Sequence, residues 1–111
     1  MKASQIRRIA LGLPEAEEVQ TWGEATFRVR GKIFCMFSPD GNGASIKGSL
    51  EQQTELIASD PSVYSVASYV GRFGWVAVDV ARADAGEVAE LIEDAWRRTA
   101  PKRLVRAFDQ D

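Results

Sequence analysis

Nucleophilic and metal chemistry have few candidate residues in this sequence of 111 residues. The chain has no histidine and one cysteine, which excludes Ser-His and Cys-His catalytic pairs, His-ligated zinc and thiolate metal sites. Cys35 lies in the apolar run IFCMF, where cysteine behaves as a small hydrophobe. We therefore expect Cys35 to be a core residue, and we expect a protein that is not an enzyme and needs no cofactor.

A run of carboxylates near the N-terminus is the second candidate for chemistry. Glu15, Glu17 and Glu18 could bind a hard cation such as magnesium. A site of this kind draws ligands from several elements, and the sequence does not indicate which distant acid would join them. Because charge runs are usually solvated, we interpret the segment as an acidic loop without a metal.

The stretches DGNG and GRFG contain glycines at positions that suggest ligand-binding loops. Neither matches the P-loop, which ends in Gly-Lys-Ser/Thr, or the dinucleotide fingerprint, which needs a third glycine at a helix start. Gly71 and Gly74 precede an alternating apolar run, so no helix N-terminus is available to an anion. We expect a bulge or positive φ angles there, with Trp75 capping the core.

Basic residues are the strongest candidates for binding. The formal net charge is −2, whereas nucleic-acid-binding domains are usually strongly basic. The charge is nevertheless uneven, since residues 1–48, 49–96 and 97–111 carry +2, −7 and +3. A β-hairpin that carries cations can place its tip against a phosphate backbone. Our candidate DNA contacts are Arg28, Arg30, Lys32, Lys102, Arg103 and Arg106.

Period-two alternation identifies the strands that would position these residues. Residues 26–37 predict a hairpin with a turn at Gly31 and Lys32, with Arg28 and Arg30 sharing the outward face of its first strand. Its second strand, apolar on both faces, should lie inside the sheet or under a helix. Residues 15–25 are expected to form a loop that brings Trp22 over the core. SPDGNG predicts another loop, and ASIK, SVYSVASYV and WVAVDV predict three further strands.

Three helices are predicted from capping signals and apolar stripes. Their N-caps are Ser4, Ser49 and Asp84, and Pro101 ends the last of them. The resulting order is α-β-β-β-α-β-β-α. Short links between consecutive strands predict an α+β fold, in which helices pack on an antiparallel sheet within a single compact domain over residues 1–111.

The sequence also indicates a cellular compartment. No apolar run approaches the roughly 20 residues that cross a bilayer, and Arg7 and Arg8 interrupt the only apolar stretch near the N-terminus, so no signal peptide is expected. One cysteine excludes an intrachain disulfide and is consistent with a reducing compartment. We expect a cytoplasmic protein with no membrane association.

Three stretches of the chain resemble the MmcQ/YjbR family of small bacterial proteins: LGLPEAEEVQTWGEATFRVRGKIFCMF, YVGRFGWVAVDV and LIEDAWRRTAPKRL. The resemblance implies a compact fold similar to frataxin-like or secretion-chaperone-like architectures. It also implies DNA binding by a "double wing" arrangement. Family members often have histidine where this chain has Glu24, which makes the local charge less favourable for phosphate. Packing and turn formation do not explain the residue type at four of the motif positions, which are Arg28, Lys32, Lys102 and Arg103.

Three functions follow as alternatives. The first is a non-catalytic DNA-binding module that contacts phosphates. The second is a ligand-binding or protein-interaction domain, monomeric or homodimeric, with an apolar cleft near Trp22 and Trp75. The third is an enzyme that acts through carboxylates and a divalent cation.

The basic residues also have a purely structural explanation. Alternating charge is typical of any half-exposed hairpin, and lysine commonly protects edge strands. Lys102 or Arg103 could simply pair with Glu17 and Glu18, which would tie down the C-terminus.

Overall fold

A computed structural model describes residues 1–38 and 43–110. The strands are β1 (Ala16–Thr21), β2 (Glu24–Val29), β3 (Lys32–Phe37), β4 (Gly43–Ile46), β5 (Tyr64–Val66) and β6 (Val76–Asp79). The helices are α1 (Ala3–Leu11), α2 (Leu50–Ser59), α3 (Ala85–Thr99) and α4 (Lys102–Asp109), with single 3₁₀ turns at Gly71–Phe73 and Val80–Arg82. The strands form one antiparallel sheet in the order β1-β2-β3-β4-β6-β5.

The predicted α+β class, with helices packed on an antiparallel sheet, is confirmed. The structure adds an edge strand, β1, and a final helix, α4, to the predicted order. The predicted loop SPDGNG falls largely on residues 39–42, which lie outside the described residues. None of the described helices has the length and apolar character needed to cross a bilayer.

The core lies between the sheet and the helices. Alternate residues of the central strands point to this side, and Phe27, Cys35, Ile46 and Val76 are buried there. Side chains from all four helices contribute to this one cluster. α3 lies across β3 and also packs against α1, so the most apolar strand is covered by the most strongly amphipathic long helix.

The other face of the sheet, called the open face below, carries the intervening residues of each strand. Met36, Ser45, Ala77 and Ser65 follow one another across β3, β4, β6 and β5 in register. Three of these four side chains are small, so the middle of the open face is shallow.

Two of the three predicted helix starts are confirmed. The Ser49 side chain accepts a hydrogen bond from the backbone N–H of Gln52 at 3.1 Å, and Asp84 accepts one from Glu87 at 2.9 Å. These side chains satisfy backbone donors that the first turn of a helix leaves unpaired. Pro101 follows the last residues of α3, as predicted.

The predicted start of α1 at Ser4 is wrong by two residues. Lys2 occupies the N-cap position, because the Gln5 side chain accepts a hydrogen bond from the Lys2 backbone N–H at 2.7 Å. Capping by a side chain inside the first turn therefore begins the helix earlier than the serine indicated.

The predicted acidic loop over residues 15–25 is wrong. Its residues form β1, a tight turn and the start of β2, with Ala16 paired to Val29 at one end of the ladder. β1 is an edge strand, and its backbone pairs with β2 on one side only. Glu17 is among its side chains that remain in solvent. Charged residues are typical of edge strands, and this composition concealed the strand.

The turn of the predicted hairpin lies one residue earlier than expected. Arg30 and Gly31 have φ angles of 52° and 80°, and Lys32 is the first residue of β3. Two-residue hairpin turns of this kind need positive φ at both central positions, with glycine favoured at the second. The pairing of β2 with β3 is also irregular, since Phe27 faces Cys35 while the next residue faces Ile33.

Helix α4 was not predicted, because the chain beyond Pro101 was interpreted only as a basic segment. Pro101 ends α3 and also stands at the N-cap of α4. A helix of eight residues is marginal by itself, and this one is stabilised by packing on α3. The rings of Trp96 and Phe108 meet edge to face at 5.1 Å, and Arg97 forms two hydrogen bonds with Asp109 at 2.9 Å and 2.6 Å.

The glycines before β6 serve backbone packing. Gly74 has a φ of 101°, and a Cβ there would lie 2.6 Å from the carbonyl oxygen of Gly48. Gly71 is buried in the 3₁₀ turn without a positive φ. The predicted positive φ is thus confirmed at Gly74 only, and Trp75 is buried as expected.

Candidate nucleic-acid interface

Arg30 lies at the tip of the β2–β3 hairpin. Its guanidinium donates two hydrogen bonds to the Glu15 carboxylate, from Nε at 2.6 Å and from Nη2 at 3.1 Å. The pKa of Glu15 is lowered, chiefly by this hydrogen bond. Both side chains are about half exposed, so the pair contributes little to stability, but it neutralises the cation at the tip.

Arg28 does not share an outward face with Arg30, and that prediction is wrong. β2 ends at Val29, so Arg30 belongs to the turn, while Arg28 lies half-buried on the open face. Its guanidinium donates to the hydroxyl oxygens of Thr26 at 3.2 Å and Thr21 at 3.0 Å, and to the carbonyl oxygen of the turn glycine at 3.3 Å. These bonds leave Arg28 with few donors for an external phosphate.

The remaining candidates on α4 are free. Lys102, Arg103 and Arg106 are exposed and, at helical positions i, i+1 and i+4, project from one side of the helix. Within residues 1–38 and 43–110, none of the three has an ion-pair partner. We call them the basic face of α4.

The tertiary structure brings the hairpin tip to this helix. Arg30 and Glu15 line a cavity of about 440 Å³ together with Pro101 and Arg103. Lys32, two residues beyond Arg30, is exposed and has no ion-pair partner among the described residues. Two groups of cations that are distant in sequence therefore adjoin. We define the basic corner as Arg30, Lys32, Lys102, Arg103 and Arg106.

The proposed pairing of Lys102 or Arg103 with the acidic segment does not occur. Glu18 pairs instead with Arg7 at 2.8 Å. Glu17 faces the opposite side of β1, because successive strand residues alternate. The described residues contain no group of acids that could hold a metal ion.

Trp22 and Trp75 do not line a common cleft. Trp22 is 98% exposed and occupies the β1–β2 turn with Gly23, at φ angles of 54° and 83°. Trp75 is 8% exposed and precedes β6. The antiparallel register places the start of β2 and the start of β6 at opposite ends of the sheet. The expectation that Trp22 returns over the core is therefore wrong.

Cys35 is fully buried, so its interpretation as a core residue is confirmed. Burial raises the pKa of its thiol to about 12, because a thiolate would lose its solvation there. The thiolate is the reactive form of cysteine, and Cys35 is consequently inert in the folded protein.

The sequence did not reveal a cavity of about 550 Å³ on the open face. Its lining includes Glu24, Met36, Ser45, Tyr69 and Ala77. Small residues at alternate strand positions were the only signal available, and that pattern is common in strands. Strand order, which decides which small residues become neighbours, was needed to locate the cavity.

A family model described as YjbR matches residues 11–98. The match extends from the end of α1 to the end of α3 and includes the whole sheet. The chain belongs to the YjbR family. This confirms the resemblance on which the sequence interpretation relied.

Similar YjbR relatives are themselves uncharacterised. The chain is 35% identical over 71 residues to the uncharacterized protein Rv2570 of Mycobacterium tuberculosis strain H37Rv and to the uncharacterized protein Mb2600 of Mycobacterium bovis. The aligned segment covers 63% of this chain and 55% of each relative. The chain thus spans about half the length of these relatives.

The fold has a counterpart in the crystal structure of Deinococcus radiodurans protein DR2400, described as a DUF419 domain. The TM-score is 0.77 over 86% of this chain and 75% of that chain, at 18% identity. Identity at this level establishes a common fold and carries no information on function.

The YjbR match covers only part of the basic corner. Arg30 and Lys32 lie inside the matched residues 11–98, whereas the basic face of α4 lies beyond them. Support for the α4 cations therefore comes from this chain's own geometry.

Proposed function

We propose that this YjbR-family protein is a non-catalytic DNA-binding module that contacts duplex phosphates through the basic corner. The observation that carries the proposal is the cavity shared by Arg30 and Arg103, which joins the hairpin tip to α4. A hairpin tip beside a basic helix can contact phosphates on neighbouring stretches of one duplex. Contacts of this type fix orientation without reading sequence.

The charge distribution supports a contact through one corner only. Residues 49–96 carry a net charge of −7 and would be repelled by DNA. The cations Lys32, Lys102, Arg103 and Arg106, which have no ion-pair partner among the described residues, lie outside that segment, at the hairpin and on α4. Repulsion elsewhere and attraction at the corner would together orient the protein on the duplex.

The proposal uses fewer contacts than the sequence predicted. Arg28 is committed to Thr26 and Thr21, and Arg30 is paired with Glu15. Four free cations remain, which corresponds to moderate affinity at low salt with a strong dependence on ionic strength. Because bacterial duplex DNA is cytoplasmic, the proposal also requires the location expected from the sequence.

The direct test is a titration of fluorescently labelled duplex DNA at about 50 mM and 200 mM salt. The expected result is binding in the micromolar range that weakens by about tenfold or more across this interval, because each phosphate contact releases counterions. Absence of binding at the lower salt concentration would reject the proposal.

A pair of matched variants separates the basic corner from bulk charge. Lys102→Gln with Arg103→Gln removes two charges from the corner and is expected to lower the slope of log Kd against log salt by about 2. Lys2→Gln with Arg82→Gln removes two charges elsewhere, because the N-terminus donates to the carbonyl oxygens of Val80 and Ala83, and Arg82 follows β6 at the sheet end remote from the tip. Equal losses in both double variants would show that binding depends only on net charge.

A further inference from the structure

The cavity on the open face is a second candidate site, separate from the basic corner. Its volume of about 550 Å³ lies within the range of small-molecule sites. Ser45, Ala77 and Ser65 are aligned in register across β4, β6 and β5 and all three line the cavity. Because these side chains are small, a flat molecule could lie against the sheet.

Among the described residues that line this cavity, one is charged. Glu24 is the first residue of β2 and lies on the cavity wall. Across the described part of the chain it has no ion-pair partner, whereas Glu15 and Glu18 each pair with an arginine. A carboxylate beside a largely apolar cavity favours a positively charged occupant, because the partly desolvated pair is weakly screened.

One aromatic residue of the lining is exposed in an unfavourable backbone conformation. Tyr69 lines the cavity, is 96% exposed and has a φ of 63°. Positive φ is rare for bulky residues, and such conformations concentrate at functional sites. Packing does not account for the position of this ring.

We propose that the open-face cavity binds a small, flat organic cation. The sheet floor would accommodate the ring system, the Glu24 carboxylate would pair with the charge, and the ring of Tyr69 would contribute a cation–π contact. The site differs from the basic corner in position and sign of charge. Glu24 and the Arg30 turn lie at opposite ends of β2.

The test uses N-methylquinolinium as the probe and its neutral isostere 4-methylquinoline as the control, at a pH above the pKa of the control. Backbone amide NMR spectra are recorded during each titration. The cation is expected to shift the resonances of Ser45, Ser65, Tyr69 and Ala77 saturably, with a Kd below about 1 mM. The neutral isostere is expected to bind about tenfold more weakly. Equal binding of both compounds, or no shift with the cation, would overturn the proposal.

Matched variants locate the interaction. Glu24→Gln is expected to weaken binding of the cation by about tenfold, whereas Glu17→Gln removes the same charge from β1, outside the cavity, and should leave Kd unchanged. Equal effects of the two variants would contradict the site. Tyr69→Asn preserves the backbone conformation, since asparagine suits its positive φ, and should also weaken binding of the cation. Retained affinity in that variant would exclude the contribution assigned to the phenol ring.

Discussion

The Glu15 carboxylate holds the guanidinium of Arg30 through hydrogen bonds of 2.6 Å and 3.1 Å. Glu15 immediately precedes β1, so the pair joins the start of the edge strand to the tip of the next hairpin. The same two side chains line the cavity that reaches Arg103. Glu15 therefore controls whether the tip cation is available to a phosphate.

Glu15→Gln is expected to strengthen duplex binding. The substitution frees the Arg30 guanidinium from its carboxylate, so one more phosphate contact becomes available at the basic corner. One additional contact should raise the salt slope by about 1. The measurement is the same labelled-duplex titration at two salt concentrations.

Glu17→Gln is the control for this prediction, because it removes the same charge from a side chain that has no ion-pair partner among the described residues. A gain confined to Glu15→Gln would place Arg30 at the interface. Equal gains in both variants would instead indicate that only the net charge had changed.

Gln53→Leu is expected to destabilise the fold by about 1–3 kcal/mol, because two buried carbonyl groups would each lose one of their two hydrogen bonds. The buried Gln53 side-chain amide donates to the carbonyl oxygens of Gly71 at 2.8 Å and Trp75 at 2.6 Å. The free energy of unfolding in urea measures the loss. Gln52→Leu removes one longer bond, 3.3 Å to Asp94 near the surface, and should cost less than about 1 kcal/mol. Similar losses in the two variants would contradict the assigned role.

Gly74→Ala is expected to destabilise the protein more than Gly23→Ala. Both glycines have positive φ, 101° and 83°, so each substitution carries a backbone cost of about 1–2 kcal/mol. A Cβ at Gly74 would also lie 2.6 Å from the Gly48 carbonyl oxygen, whereas a Cβ at Gly23 meets nothing within 4 Å. Thermal unfolding of the two variants gives the comparison, and equal losses would show that φ alone matters.

Cys35 is expected to resist modification by a thiol reagent near pH 8 until the protein unfolds. With a pKa of about 12, roughly one thiol in ten thousand is ionised at that pH. Reaction with Ellman's reagent, with and without urea, measures the protection. Rapid stoichiometric reaction of the native protein would contradict full burial.

The same group makes stability depend on pH in the alkaline range. The thiol pKa rises from 9.0 in its ordinary state to about 12 in the fold, so the unfolded chain releases the Cys35 proton first. The protonated Cys35 thiol therefore makes its full contribution to the free energy of unfolding below about pH 9. This contribution is lost progressively as the pH rises to about 12. Cys35→Ala should flatten this part of a stability curve measured by urea unfolding.

Local signals in the sequence were sufficient for much of the fold. The Asp84 cap and the apolar stripe of α3 predicted a helix whose stripe is buried as expected. The apolar run around Cys35 predicted a strand inside the sheet. These features were predictable because hydrogen-bond capping and side-chain periodicity operate within a few residues.

Other elements depended on partners distant in sequence. β1 is an acidic edge strand that exists because β2 supplies its backbone hydrogen bonds. α4 is stabilised by two contacts with α3. Phe108 packs on the ring of Trp96, and Asp109 accepts hydrogen bonds from Arg97. Composition cannot reveal such partners, and both elements were absent from the predicted order.

The sequence by itself determined the α+β class, the family, the buried thiol and the identity of the basic residues. The tertiary structure decided which of those cations are free, because Glu15 reaches Arg30 and two threonines reach Arg28. It also decided that the hairpin tip meets α4 and that small residues from β4, β5 and β6 form one cavity. Ion pairing and strand order are long-range properties, and they are fixed only when the chain has folded.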